Sequence, residues 1–462
     1  MRREDIAREF VLTEPPAETA FLIGVELKNE PSNWSVEASL EELERLSATA
    51  QLEVIGRTYQ KLAHIDPATY IGKGKIEEIK TWMAELNFDL LVFDDELSPR
   101  QQRNLERILG VRVIDRTALI LDIFAQHART REGAMQVELA QYQYLLPRLT
   151  RQWSHLNRQV AAGGGRRGRG ARGAGSGPGS LGAGLRGPGE TQLETDRREI
   201  KQKIAQLRGE LEAVRKQRQL HRKQRRKVGI PTVALVGYTN AGKSTLLNAL
   251  SGADVLIADQ LFATLDPTTR RISLPSGREV LFTDTVGFIK KLPTHLVAAF
   301  RATLEEITEA DLLVHVVDIT HQNAWEQSAA VAEVLDDLGA GNKPVVVALN
   351  KVDKLVDLQQ LCDWQSRFPK SVAISAAQKT GLGALLDRVE EVLQRSMISV
   401  KVNLPYRAAE LNAVFHEQGS IEWEEYSQEG TIIKGFLPNR LVDAFKEYLV
   451  GESKRGKTNR SR

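Results

Sequence analysis

The chain has 462 residues, a net charge of +3, 42% hydrophobic and 27% charged residues, a globular composition that excludes a disordered or membrane-embedded class and calls for roughly two to four domains. No apolar run reaches bilayer length, the charged start MRREDIAREF lacks a signal core, and the single cysteine, Cys362, leaves no internal disulfide. A cytoplasmic, monomeric protein without membrane insertion is therefore expected, with at most transient membrane association.

Residues 1–115 read as an α/β domain. Phe21–Leu27 is a strand, Ser39-Leu-Glu-Glu42 fits a capping box opening a helix with Leu40, Leu43 and Leu46 inward, and Leu52–Gly56 is the next strand. A helix through Ile76, Ile79 and Met83, the strand Leu90–Phe93, a helix started by Ser98-Pro99 and the strand Val111–Ile114 follow. Alternating strands and helices imply a parallel sheet covered by helices.

Residues 116–228 turn helical and basic, interrupted at 163–189 by a glycine/arginine-rich linker that cannot bury apolar surface. A long helix from about Glu190 to Lys227 places Ile200, Ile204, Leu207, Leu211 and Val214 at coiled-coil seam spacing. Its C-terminal end, with Arg215, Lys216, Arg218, Arg222, Lys223, Arg225, Arg226 and Lys227, is strongly basic. After an arginine-rich linker, that helix points to a polyanionic partner, RNA before DNA or membrane.

Residues 229–397 read as a doubly wound α/β domain. An apolar strand runs into Gly237, Tyr238, Thr239, Asn240, Ala241, Gly242, Lys243, Ser244 and Thr245, a phosphate-binding loop opening a helix. Its glycines turn the backbone N–H groups inward, Lys243 reaches the β- and γ-phosphates, and the Ser244 hydroxyl ligates Mg²⁺. The later motifs fall at strand ends, where such folds bind ligands. In Asp284-Thr285-Val286-Gly287 the carboxylate holds Mg²⁺ through water and the Gly287 N–H meets the γ-phosphate. In Asn350-Lys351-Val352-Asp353 the aspartate accepts from guanine N1–H and the 2-amino group, a pattern adenine lacks, so GTP is specified over ATP. Ser375-Ala376 offers a backbone N–H to guanine O6.

Outside this domain, Tyr70-Ile-Gly-Lys-Gly-Lys75, Leu97-Ser-Pro-Arg-Gln-Gln-Arg-Asn-Leu105, Gln136-Val-Glu-Leu-Ala140 and Arg186-Gly-Pro-Gly-Glu-Thr-Gln-Leu-Glu-Thr-Asp-Arg-Arg198 are specific strings. With them the chain resembles the HflX family of the translation-factor-related (Obg-HflX) GTPases over almost its full length. The resemblance implies a two-helix subdomain beside the G domain, binding to the large ribosomal subunit and its RNA and, in some members, splitting of stalled ribosomes. It also implies that Phe262, Ala263, Thr264, Leu265 and Asp266 belong to the GTP-binding set, with Thr264 the switch threonine that ligates Mg²⁺ only in the GTP state. His127 stands where the family has arginine, and the glycine linker is longer than is usual. Residues 398–462, of strand-helix-strand-strand-helix character, resemble a small α+β domain of some members.

Lys243, Thr264 and Gly287 are thus the expected catalytic set. Many GTPases place a water-orienting glutamine after the switch glycine, but this chain has Phe288, so intrinsic hydrolysis should be slow and completed by a partner. Asn240 fits two roles: K⁺ ligand, as in potassium-dependent GTPases, or cap of the loop. Rival readings are a ribosome-assembly GTPase, a GTPase acting on a protein or lipid partner, and a GTP-regulated RNA-remodelling protein with ATP-dependent activity in its N-terminal domain.

Overall fold

In the computed structural model the described residues are 18–29, 34–149, 188–228, 230–252, 261–262, 264–291, 301–355, 357–395 and 397–450. Strand β1 (Thr19–Leu27) buries Ala20 and Leu22 on one face and Phe21 and Ile23 on the other. A strand covered on both sides belongs in a parallel sheet. It pairs in parallel with β2 (Glu53–Leu62) and β3 (Leu90–Phe93), and β4 (Arg112–Asp115) lies beyond β3. β2 runs on to Leu62, past the expected Gly56, because a half-exposed edge strand needs no continuous apolar run.

One face of this sheet is covered by α1 (Val36–Thr49), the other by α2 (Lys73–Leu86) and α3 (Pro99–Leu109). The capping box expected at Ser39 is not the start of α1. Ser35 caps the helix by accepting from Ala38 N, because buried Val36 extends the apolar stripe of Leu40 and Leu43 by one turn. Ser39 is buried instead, its Oγ donating to Asp94 Oδ2 at 2.7 Å. At α3, Ser98 and Gln101 form a capping box with Pro99 in the first turn.

Two helices follow β4, α4 (Arg116–His127) capped by Asp115 and α5 (Arg131–Leu145) capped by Thr130. The long helix α6 (Pro188–Val228) lays Ile204 and Leu207 against Met135 and Leu139 of α5, flanked by Ile200, Leu211 and Val214. Its seam is thus covered within the chain. Of the linker expected at 163–189, the described residues include only Pro188 and Gly189, which begin α6.

The second sheet contains β5 (Thr232–Val236), β6 (Thr268–Ser273), β7 (Glu279–Asp284), β8 (Leu312–Asp318), β9 (Val345–Asn350) and β10 (Val372–Ala373) in the order β10-β9-β8-β5-β7-β6. Every pairing is parallel except the β6–β7 hairpin at one edge. α7 (Lys243–Ser251) and α11 (Leu382–Arg395) pack on one face; α8 (Arg301–Glu309) and α9 (Ala324–Asp337) pack on the other. α10 (Leu358–Arg367) adds Trp364 to a satellite cluster with Val317 and Leu349. Last comes an antiparallel sheet, β11 (Met397–Pro405), β13 (Gly430–Pro438) and β12 (Ser420–Tyr426) in spatial order, with α12 (Ala409–Gln418) and α13 (Asn439–Val442) around Val402, Phe415, Ile433 and Phe445.

The core on the α1 face does not stop at the first sheet. It continues through Phe124 of α4 into Tyr238, Phe262, Leu265, Val286, Phe288 and Ile289. Each fully buried aromatic or aliphatic side chain there contributes on the order of 2 kcal/mol. That shared core sets the first sheet and α4 beside the loop after β5. No helix among the described residues is long and apolar enough to cross a membrane.

Candidate functional site

The loop after β5 has the shape that its glycines impose. Gly237 has φ 153° and a Cβ there would lie 2.3 Å from Val316 O; Gly242 has φ 94° and its Cβ would lie 2.3 Å from Asn350 Nδ2. Neither place admits a side chain. Lys243 opens α7 with its side chain buried and Nζ donating to Gly237 O at 3.1 Å and Tyr238 O at 2.8 Å. Burial pushes its ammonium down to about 8, against the pull of Asp284. A dry cation caged by carbonyls at a helix start is a receptor for an anion.

Beside it three oxygens converge. Ser244 Oγ donates to Asp284 Oδ2 at 2.6 Å and lies 2.8 Å from Thr264 Oγ1. Asp284 is buried, and its Oδ1 has no hydrogen-bond partner among the described residues. Burial raises its carboxyl above the usual range, opposed by Lys243 and the two hydroxyls. Two hydroxyls and one carboxylate with an unused oxygen form a hard donor set that suits Mg²⁺, which keeps waters and takes phosphate oxygens besides.

At the end of β9, Asn350 joins two loops, Nδ2 donating to Ala241 O at 2.8 Å and Oδ1 accepting from Ala376 N at 3.0 Å. The amides read as donors to a guanine carbonyl are therefore engaged: Ala376 N on Asn350, and Ser375 N on Thr380 O at 3.1 Å. Lys351, at φ 66°, holds Asp318 at 2.7 Å, Val352 begins a short 3₁₀ turn, and Asp353 is exposed. Thr245 lies in the first turn of α7. Thr285 Oγ1 donates to Leu235 O at 2.6 Å, and Val286 is buried below the loop. Gly287 passes so close to the loop that a Cβ would lie 2.9 Å from Thr239 Cα. Phe262 stacks edge-on against Phe124 at 4.7 Å, Leu265 is buried, and Ala263 lies outside the described residues.

Other connections carry no sequence signature. Phe288 is buried, its N donating to Gly237 O at 3.1 Å and its O accepting from Thr239 N at 2.8 Å. Its ring joins the core shared with the first sheet, which is what an apolar residue gives there in place of glutamine. Tyr238 OH donates to Glu42 Oε1 at 2.6 Å and accepts from Lys290 N at 2.8 Å. Arg116, fully buried, pairs with Glu42 and with Asp94 Oδ1 at 2.7 Å. Lys291 Nζ reaches Asp94 at 2.5 Å and Asp95 at 2.6 Å. Burial pushes the Asp94 carboxyl up, but Arg116 and Lys291 outweigh it and hold the group below the usual range. Asn240, at φ 57°, lines a cleft of about 170 Å³ with Glu41, Glu42, Arg45 and His321. Asp266 accepts from Arg129 N and Thr130 N, at the approach to α5.

Three family models match successive parts of the chain. The family described as "GTP-binding GTPase N-terminal" matches residues 37–125, "GTP-binding GTPase Middle Region" matches 127–225 and "50S ribosome-binding GTPase" matches 232–351. GTPase HflX of Caldanaerobacter subterraneus is 45% identical over 414 residues, 90% of this chain and 91% of that one. GTPase HflX of Escherichia coli is 43% identical over 394 residues, 85% and 88% of the two chains. A GTP-binding protein of the archaeon Sulfolobus solfataricus, solved in complex with GDP, is 26% identical with a TM-score of 0.42, covering 82% of this chain and 99% of that one. Matched at such identity along nearly all of its length, the chain belongs to the HflX family and is a P-loop GTPase that binds GTP and hydrolyses it.

Proposed function

We propose that this GTPase is a GTP-dependent switch that binds the large ribosomal subunit and acts in the rescue or splitting of stalled ribosomes. The observation that carries the switch is the convergence of Ser244, Thr264 and Asp284 where the segments bearing Thr264 and Phe288 also pack on the N-terminal part of the chain. What happens at the phosphate is thereby felt outside the G domain. The match to a 50S ribosome-binding family and the basic character of α6 support the ribosomal partner.

In this reading Lys243 and the amides of residues 237–245 hold the β- and γ-phosphates, and the Gly287 N–H meets the γ-phosphate. Ser244 and Thr264 ligate Mg²⁺ directly and Asp284 through water; when bound, the metal neutralises charge developing on the phosphate oxygens. Asp353 reads the guanine edge while Asn350 fixes the loops on either side. Phe288 orients no water, so turnover is slow until the ribosome completes the site. Asn240 is a K⁺ ligand if hydrolysis is faster in KCl than in NaCl at equal ionic strength, and a loop cap if the rates are equal.

Co-sedimentation of the protein with large subunits tests the switch. Binding is expected with a non-hydrolysable GTP analogue and weak with GDP; equal binding in both states would refute it.

A further inference from the structure

Asp266 stands two residues after Thr264, and its carboxylate serves a different element. Oδ2 accepts from Arg129 N at 3.0 Å and Thr130 N at 2.8 Å, and Oδ1 accepts from the Thr130 hydroxyl in a short contact. Thr130 is itself the N-cap of α5, accepting from Gly133 N at 3.0 Å. The carboxylate therefore adds a negative charge at the positive end of the helix and takes up the amides of Arg129 and of the N-cap Thr130, just before its first turn. It lies so close that a Cβ on Gly133 would fall 2.5 Å from Asp266 Oδ1.

The same turn of α5 is tied to the basic helix. Glu132 holds Arg218 of α6 at 2.8 Å, and Arg215 of α6 reaches Glu305 of α8 at 2.9 Å. On the other side of the α4–α5 connection, Phe262 is pinned on Phe124. Thr264 is thus bracketed by two anchors on the helices, while its own hydroxyl faces Ser244.

We propose that Asp266 is a positioning residue that couples Thr264 to the α5/α6 hairpin. A nucleotide that draws Thr264 toward its metal alters Asp266's hold on the first turn of α5. By linkage, a polyanion that fixes the hairpin fixes Thr264. The proposal rests on the reading of Thr264 as a ligand in the GTP state, and the test separates the two.

Amide hydrogen exchange of the full chain, with Mg²⁺ and either GDP or a non-hydrolysable GTP analogue, reads the coupling at Arg129, Thr130 and Gly133. Protection there is expected to differ roughly tenfold between the two nucleotides. The difference should collapse in Asp266→Asn and, from the helix side, in Gly133→Ala, which keeps wild-type GDP affinity. Equal protection in both states of the unsubstituted protein, or variants that retain the full difference, would overturn the coupling. Thr264→Ala is measured alongside for Mg²⁺-dependent affinity for the analogue over GDP. If that preference survives, the reading of Thr264 falls and the coupling with it; if it is lost while Asp266→Asn still shows the full difference, the coupling alone falls.

Discussion

Lys243 shows how much one residue of this chain can disclose. Its spacing from Gly237 and Gly242 was readable because each glycine answers a backbone demand, a positive φ with no room for a Cβ, and the lysine answers a charge demand. Lys243→Ala removes the buried cation that faces the phosphates, and nucleotide affinity should fall at least roughly 100-fold. Titration with a fluorescent GTP analogue checks this, and near-normal affinity would contradict it. His315 is the opposite case, since nothing around it in the sequence marks it. It lies buried in β8, where desolvation first and the Lys243 charge second push its pKa down to about 4 from 6.5. Its proton is bound by the unfolded chain below 6.5 but by the folded chain only near 4. Stability is therefore intact above that upper value and is lost as pH falls toward the lower one, by on the order of 3 kcal/mol. Thermal unfolding between those limits should show the loss, and His315→Phe should flatten it.

Among the elements, strand ends were legible because the apolar runs of β5, β7 and β9 stop where polar motifs start. The seam of α6 was legible for the same reason, although its partner α5 was not, since spacing names a face and not what covers it. Ser39 misled because a serine followed by a glutamate three residues later fits a cap wherever it occurs. What decided the matter was buried Asp94, just past the end of β3, which accepts from the Ser39 hydroxyl. Arg116 is the element-scale counterpart, holding α1 and β3 to α4 through Glu42 and Asp94. Its partners lie 74 and 22 residues away in sequence, beyond any local pattern. Arg116→Ala removes the cation shared by Glu42 and Asp94, leaving Glu42 without its ion-pair partner and Asp94 with Lys291 alone, and should cost about 3–5 kcal/mol in urea unfolding. Adding Glu42→Gln and Asp94→Asn should recover part of it. A change below about 1 kcal/mol in the single variant would show that the pair is not holding these elements.

At the scale of the molecule, the α/β order of each part was readable, but the continuity of the core between them was not. Phe288 illustrates the gap. As a sequence feature it signals a missing glutamine, and in the fold it is an apolar contact shared with the first sheet. The side chains at the basic end of α6, Arg222, Lys223, Arg225 and Arg226, lie outside the described side chains. Their charge still yields an expectation: ribosome affinity should fall steeply with salt. Neutralising the four should weaken binding and lower the slope of log affinity against log salt by roughly three to four. An affinity indifferent to both would remove the helix from the interface.

Phe288 stands where many GTPases orient the attacking water with a glutamine, so turnover should depend on what the chain binds. The direct test is the rate of GTP hydrolysis with and without saturating large ribosomal subunits. A rise on the order of 10²-fold or more is expected; a rate unchanged by the subunits would contradict it.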